Sequence, residues 1–210
     1  MKGDLTRLTF DRAKHYSGVV MQQGRVSLDA DWNEQRDIAS HRTETGTLDV
    51  VGPCGAPVSA AGFHLVAAVA DLSAEEQARP ENQDPPPLGG AGDFYVSAGR
   101  YYSHGVLVEN EAIVPAGAQP DFPGLELPEE PGIYVAYLDV WERHLSVLED
   151  PAIREVALGG PDTATRLKTL WQVRLAHVAG PEEEVTCMTS TPAYEAVSYT
   201  HLTLPTIYSV

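Results

Sequence analysis

Ile133-Tyr134-Val135-Ala136-Tyr137-Leu138-Asp139-Val140-Trp141 contains a single charged residue. β-Branched and aromatic side chains dominate it, and both alternating sets of positions are apolar. It therefore reads as a strand buried on both faces and central in its sheet. Downstream, Leu170-Trp171-Gln172-Val173-Arg174-Leu175-Ala176-His177-Val178 alternates apolar with polar and reads as a half-buried strand. Between them, Pro161-Asp162-Thr163 is read as the start of a short helix reaching Leu170, capped by Asp162 or Thr163. Upstream, Gly62-Phe63-His64-Leu65-Val66, Phe94-Tyr95-Val96 and Gly105-Val106-Leu107-Val108 read as short strands, with glycine-aided turns around Gly99-Arg100-Tyr101-Tyr102-Ser103-His104. Two runs rich in Pro and Gly, residues 73–93 and 115–132, read as loops rather than regular elements.

The first fifty residues follow other rules. Residues 5–26 lack helical periodicity and are rich in Thr, Val and Tyr, which predicts an extended arm with a turn near Gln22-Gln23-Gly24. Asp29 or Asp31 is suited to cap a helix, and Glu34 follows Asp31 by three as in a capping box, so a helix is expected over residues 31–45. Gly46 and then Gly52-Pro53 offer successive stops. The expected fold is mainly β with minor α: an arm and helix (residues 1–52), then a small antiparallel β-barrel or sandwich with long Pro/Gly-rich loops (residues 53–196).

Composition narrows function. Of 210 residues, 14 are Lys or Arg and 30 are Asp or Glu, a formal charge of −16, which argues against nucleic acid as partner because phosphate contacts need clustered basic groups. The apolar fraction of 43% is that of a globular chain. No apolar stretch follows Lys2, so no secretory leader is expected and synthesis is placed in the cytoplasm. Residues 60–72 are interrupted by His64 and Asp71 and are too short for a membrane span. Cys54 and Cys187 lie far apart without CxxC or histidines at ligand spacing, so neither a disulfide framework nor a zinc site is expected.

Acidic groups are the main candidates for chemistry: Asp29, Asp31 and Glu34; Asp139 and Glu142; Glu149 and Asp150. Paired carboxylates serve in glycoside cleavage, but the first group has a structural task at a helix start and nothing pairs it with another. The EF-hand spacing is absent, as are HExxH and GxSxG. Gly159-Gly160-Pro161-Asp162-Thr163 lacks the lysine of a phosphate loop and reads as a turn. Trp32, Trp141 and Trp171, with Tyr95, Tyr101, Tyr102, Tyr134 and Tyr137, are material for a sugar-stacking platform, yet should mostly be core. No catalytic residue, metal or cofactor is expected.

Three segments carry a resemblance. They are Met1-Lys2-Gly3-Asp4-Leu5-Thr6-Arg7 with Phe10 and His15-Tyr16-Ser17; Met21-Gln22-Gln23-Gly24-Arg25-Val26 running into Leu28-Asp29-Ala30-Asp31-Trp32-Asn33-Glu34-Gln35; and Tyr137-Leu138-Asp139-Val140-Trp141-Glu142-Arg143-His144 continuing to Ala157-Leu158-Gly159-Gly160-Pro161-Asp162-Thr163-Ala164-Thr165-Arg166. Over residues 1–180 the chain resembles an uncharacterised bacterial N-terminal domain family associated with phage-tail-like contractile particles. The resemblance implies a non-catalytic attachment module that docks a fibre, spike or baseplate element. Its implied partners are particle subunits and further copies of itself, with release as part of a particle, and neither nucleic acid nor membrane insertion. The arm and the helix start are the expected docking surface, with Arg25, Asp29, Asp31, Trp32, Asn33 and Glu34 as its candidate residues. The alternative is a cell-wall or polysaccharide-binding or -cleaving domain. The stretch Val197-Ser198-Tyr199-Thr200-His201-Leu202-Thr203-Leu204-Pro205-Thr206 is similar to translated sequencing adapter. That similarity implies that residues 197–210 are an artefact and that the natural chain continues past Ala196.

Overall fold

A computed structural model describes residues 3–125, 132–159, 162–177 and, for the backbone, 205–209. Cys187, Val178, Gly160 and Pro161 lie outside the described residues. The chain forms two compact units, Met1–Gly52 with Arg143–Lys168, and Pro53–Glu142 with Thr169–Val210.

In the first unit an extended arm precedes α1 (Asp29–Val51). The arm turns where expected: Arg25 N–H donates to the Gln22 carbonyl at 3.3 Å, and Gly24 has φ 71°. A short 3-10 turn at Arg12–Lys14 is capped by Asp11, whose Oδ1 accepts from Ala13 N–H at 2.9 Å. The helix exceeds its expected bounds at both ends. Its N-cap is Leu28, which makes no side-chain cap bond, so the expected capping role of Asp29 or Asp31 and the box with Glu34 are not realised. Both aspartates instead fall in the first turn, where their charge opposes the helix dipole favourably. Gly46 does not stop the helix, because a glycine with ordinary helical φ only weakens the interior. Gly52, at φ 89°, ends it and donates to the Leu48 carbonyl at 2.9 Å.

The second unit is mainly β. Short strands β1 (Cys54–Gly55), β2 (Leu65–Val66), β3 (Tyr95–Val96), β4 (Gly99–Ser103), β5 (Val106–Asn110) and β6 (Val114–Pro115) make two sheets, β1-β4-β5 and β2-β3-β6. The long strands β7 (Ile133–Leu145) and β8 (Arg166–His177) make the third with β9 (Pro205–Ser209), in the order β8-β7-β9. All three sheets are antiparallel, and among the described residues no closed barrel is found, so the sandwich form of the expectation is the one the structure allows. β4 and β5 are joined by His104 and Gly105, with φ 49° and 89°, in the register Ser103↔Val106. Two consecutive positive φ values are the mark of the tight turn whose twist matches a hairpin.

β7 is central as its pattern predicts, and residues 135–140 are all buried. Val96, Phe94, Val108, Ala136, Leu138, Val140, Trp171 and Val173 form the core, with Phe63, Leu65 and Tyr101 packed on it. The Phe63 ring meets Trp171 edge-on at 5.0 Å between centroids. Gly62 and Gly99 allow two backbones to cross: a Cβ on Gly62 would stand 2.6 Å from the Gly99 backbone, and one on Gly99 2.6 Å from the Ala61 carbonyl oxygen.

Two sequence expectations fail here. Residues 73–93 contain a helix, α2 (Ala74–Ala78), closed by a true capping box in which Ser73 and Glu76 satisfy each other's backbone N–H groups. The Pro-rich remainder obscured this five-residue element. No helix forms after Thr163, since Arg166 already belongs to β8, and sheet pairing beside β7 overrides the local capping signal.

Candidate functional site

The arm is held against α1 by side chains far apart in sequence. Thr6 donates to Asp29 twice, from its backbone N–H to Oδ2 at 3.0 Å and from Oγ1 to Oδ1 at 2.6 Å. Thr9 Oγ1 donates to Glu34 Oε2 at 2.7 Å, and Val19 N–H to Gln35 Oε1 at 2.7 Å. Phe10 packs on His41 with ring centroids 5.7 Å apart. The Thr6 hydroxyl, then its N–H, hold the Asp29 carboxyl below the usual carboxylate range.

These bonds sort the six expected docking residues. Asp29 and Glu34 are committed to the arm. Arg25 and Asp31 line an open hollow of about 360 Å³ together with Val19, Val20, Met21, Gln22 and Val26. Trp32, beside Asp31 in sequence, is 72% exposed, against the expectation that the tryptophans are mostly core. The helix's own buried residues are Ala30 and Ile38. Asn33 is half-buried. Thr6, Thr9 and Gln35 were missed, because nothing in the local sequence pairs a threonine with a carboxylate some two dozen residues on.

Exposed apolar side chains gather in the first unit. Among the described residues, every large hydrophobic side chain counted as exposed belongs to it except Val58 and Leu107, while every buried hydrophobic residue belongs to the second unit except Ala30 and Ile38. Val20 and Val26, at 88% and 82%, are nearly as open as in an unfolded chain.

Also in the first unit, Arg143 pairs with Glu149 at 3.1 Å, and His144 Nε2 lies 2.6 Å from Thr165 Oγ1. Residues 1–193 match the family of unknown function DUF6519. The chain belongs to this family. No curated protein and no solved structure matches it.

In the second unit of this DUF6519 chain the remaining candidate groups are tied into the fold. Asp139 is buried, with Arg174 Nη1 3.6 Å from its Oδ2. Burial raises the Tyr137 phenol above its usual range. Burial, and then the neighbouring Cys54 thiol, raise Tyr101 further still. His64 bonds Glu76 through Nδ1, and although burial alone would raise the Glu76 carboxyl, the Ser73 and His64 bonds bring it below the usual range. Tyr137 and Trp171 are buried and Trp141 packs on Phe122 at 5.0 Å. Among the described residues, no three His, Cys, Asp or Glu side chains are placed to hold a metal, and no helix is long and apolar enough to cross a membrane.

Proposed function

We propose that this DUF6519 chain is a non-catalytic attachment module of a phage-tail-like particle, docking through its arm and the start of α1. The observation that carries the reading is the run of exposed apolar side chains along the arm and the start of α1, Leu8, Tyr16, Val20, Met21, Val26, Leu28 and Trp32, on a backbone pinned by Thr6, Thr9 and Gln35. Patches of this kind mark association sites in soluble proteins. A pinned surface also pays less ordering entropy on docking than a free arm. The sequence resemblance supplies the kind of partner: subunits of a contractile or fibre-bearing particle, assembled in the cytoplasm and released with it. The saccharide alternative draws less support, since Trp171 and Tyr137 are spent on the core.

The test uses the natural full-length protein, tagged, in a culture producing such particles. Particles are banded on a density gradient and each fraction is probed for the tag. Banding with sheath and tube proteins is expected, with release to the top of the gradient on Trp32→Glu. A tagged protein that never leaves the top fractions overturns the reading.

A further inference from the structure

The two long strands of the third sheet have their outer edges closed in different ways. On β8, the Gln119 side chain takes both backbone groups of Val173, donating to its carbonyl at 3.0 Å and accepting from its N–H at 2.6 Å. A side chain that satisfies an edge keeps other strands off it. On β7, the edge over Ile133–Tyr137 is covered by main chain instead: β9 pairs there antiparallel, in the register Val135↔Ile207 and Ala136↔Thr206. β9 lies beyond residues 1–193, the part that matches the family. Main-chain pairing of this kind gives affinity without asking for a particular sequence.

The surroundings of this edge state what fits it. Val135, Ala136 and Tyr137 are all buried and, being consecutive in a strand, point to both faces of the sheet. A strand laid beside them therefore sets its side chains next to apolar neighbours on either face, which favours uncharged residues. Ala136 and Tyr137 also line an open hollow of about 60 Å³ with Phe63, Leu65, Leu138 and Val173, and every side chain around it is apolar or aromatic. That is well under the roughly 150 Å³ that accepts a benzene ring, so the hollow suits an aliphatic group rather than an aromatic one. Main-chain bonds for affinity beside a hollow that selects one side chain are the two parts of peptide recognition by strand addition. Charge narrows the occupant further. The second unit carries three basic residues against eighteen acidic ones, 3 − 18 = −15. Two copies meeting through this unit would repel, whereas Lys or Arg at the ends of an incoming segment would be drawn to it.

We propose that the Ile133–Tyr137 edge of β7 is an acceptor site for an extended segment of another protein. The segment is uncharged over the five paired positions, offers one aliphatic side chain to the hollow, and carries basic residues at its ends. This site lies wholly in the second unit and does not depend on the docking role assigned to the arm and α1.

Amide hydrogen exchange with a short probe peptide, alternating threonine and valine between lysines at each end, tests it. In the intact chain the probe should displace β9, so that exchange at residues 206–209 speeds up while residues 133–137 stay protected. Thr206→Pro combined with Ile207→Pro takes β9 off the edge in advance, because proline cannot donate to a ladder. Exchange at residues 133–137 should then rise and fall again when the probe is added. The probe should also bind this variant roughly 10-fold more tightly, since in the intact chain β9 competes at an effective concentration on the order of millimolar. Ending the probe in glutamates should weaken it roughly 10-fold at low salt, and replacing its valines by phenylalanine, too large for the hollow, should weaken it as well. The intact chain needs no substitution, so the test stands even where the proline variant fails to fold. A lysine-ended probe that leaves β9 in place at about 1 mM, the weak end of specific binding, overturns the proposal. So do lysine and glutamate probes of equal affinity, or indifference to phenylalanine. A proline variant that dimerises and keeps residues 133–137 protected without the probe overturns it too, by making a second copy the occupant.

Discussion

The two units of this chain use the same residue types to opposite ends. In the second, Trp171 is 7% exposed and its Nε1–H donates to the Glu109 carbonyl at 2.9 Å; in the first, Trp32 stands 72% exposed on α1. The second unit gathers nearly all the buried hydrophobic residues and most of the negative charge, the first nearly all the exposed ones and most of the cations. Apolar burial is concentrated in the second unit, while the first leaves its large apolar side chains open.

Exchanging the two tryptophans for alanine is the strongest test of that contrast. Trp171→Ala should cost about 3–5 kcal/mol in denaturant-measured stability, whereas Trp32→Ala should stay within about 0.5 kcal/mol. Equal effects would erase the distinction between the units.

Next in size is Gln119, a fully buried polar residue that completes a β edge with its side chain. Its Nε2 donates to the Ala116 and Val173 carbonyls at 2.9 and 3.0 Å, and its Oε1 accepts from Val173 N–H at 2.6 Å. Gln119→Ala leaves both Val173 groups without this partner and should cost about 1–3 kcal/mol, read from the shift in unfolding midpoint.

A smaller effect, of opposite sign, is expected in the first unit. Gly46 is exposed within α1, and a Cβ there would meet nothing within 4 Å. Gly46→Ala should therefore stabilise by about 0.5–1 kcal/mol by calorimetry, since only the backbone freedom of the unfolded chain changes. A loss of stability would mean that the helix is not continuous through this position.

The smallest effect concerns Asp29. Its carboxyl is held below the usual range by Thr6, so the contribution of this contact is complete above the ordinary carboxylate pKa and fades as pH falls through the lowered value. Thr6→Ala should return the Asp29 titration upward toward its ordinary position, followed by NMR of the side-chain carboxyl. An unchanged titration would show that the arm is not anchored there.

Much of the β framework was legible in sequence for a plain reason. In residues 133–141 the period and the residue types point the same way, and the structure buries residues 135–140. Where local signals competed, they misled. Asp31 and Glu34 have capping-box spacing, yet Leu28 holds the N-cap position and Glu34 turns to Thr9. Asp162 and Thr163 advertise a helix, yet strand pairing beside β7 prevails. The short box at Ser73 and Glu76 was overlooked among prolines, although its spacing was present to be read.

By its own content the sequence determined the acidic balance, the central strand, the extended arm with its turn at Gly24, and the existence of a helix, though over residues 31–45 only. These depend on composition and on spacings of a few residues, which act within one element. Only the tertiary structure decided that Thr6 and Thr9 serve Asp29 and Glu34, that Gln119 completes the edge at Val173, and that Trp32 is left open while Trp171 is covered. Each of those outcomes depends on which distant segment comes to lie alongside, and a hydrogen bond or a buried ring has no local pattern that announces its partner.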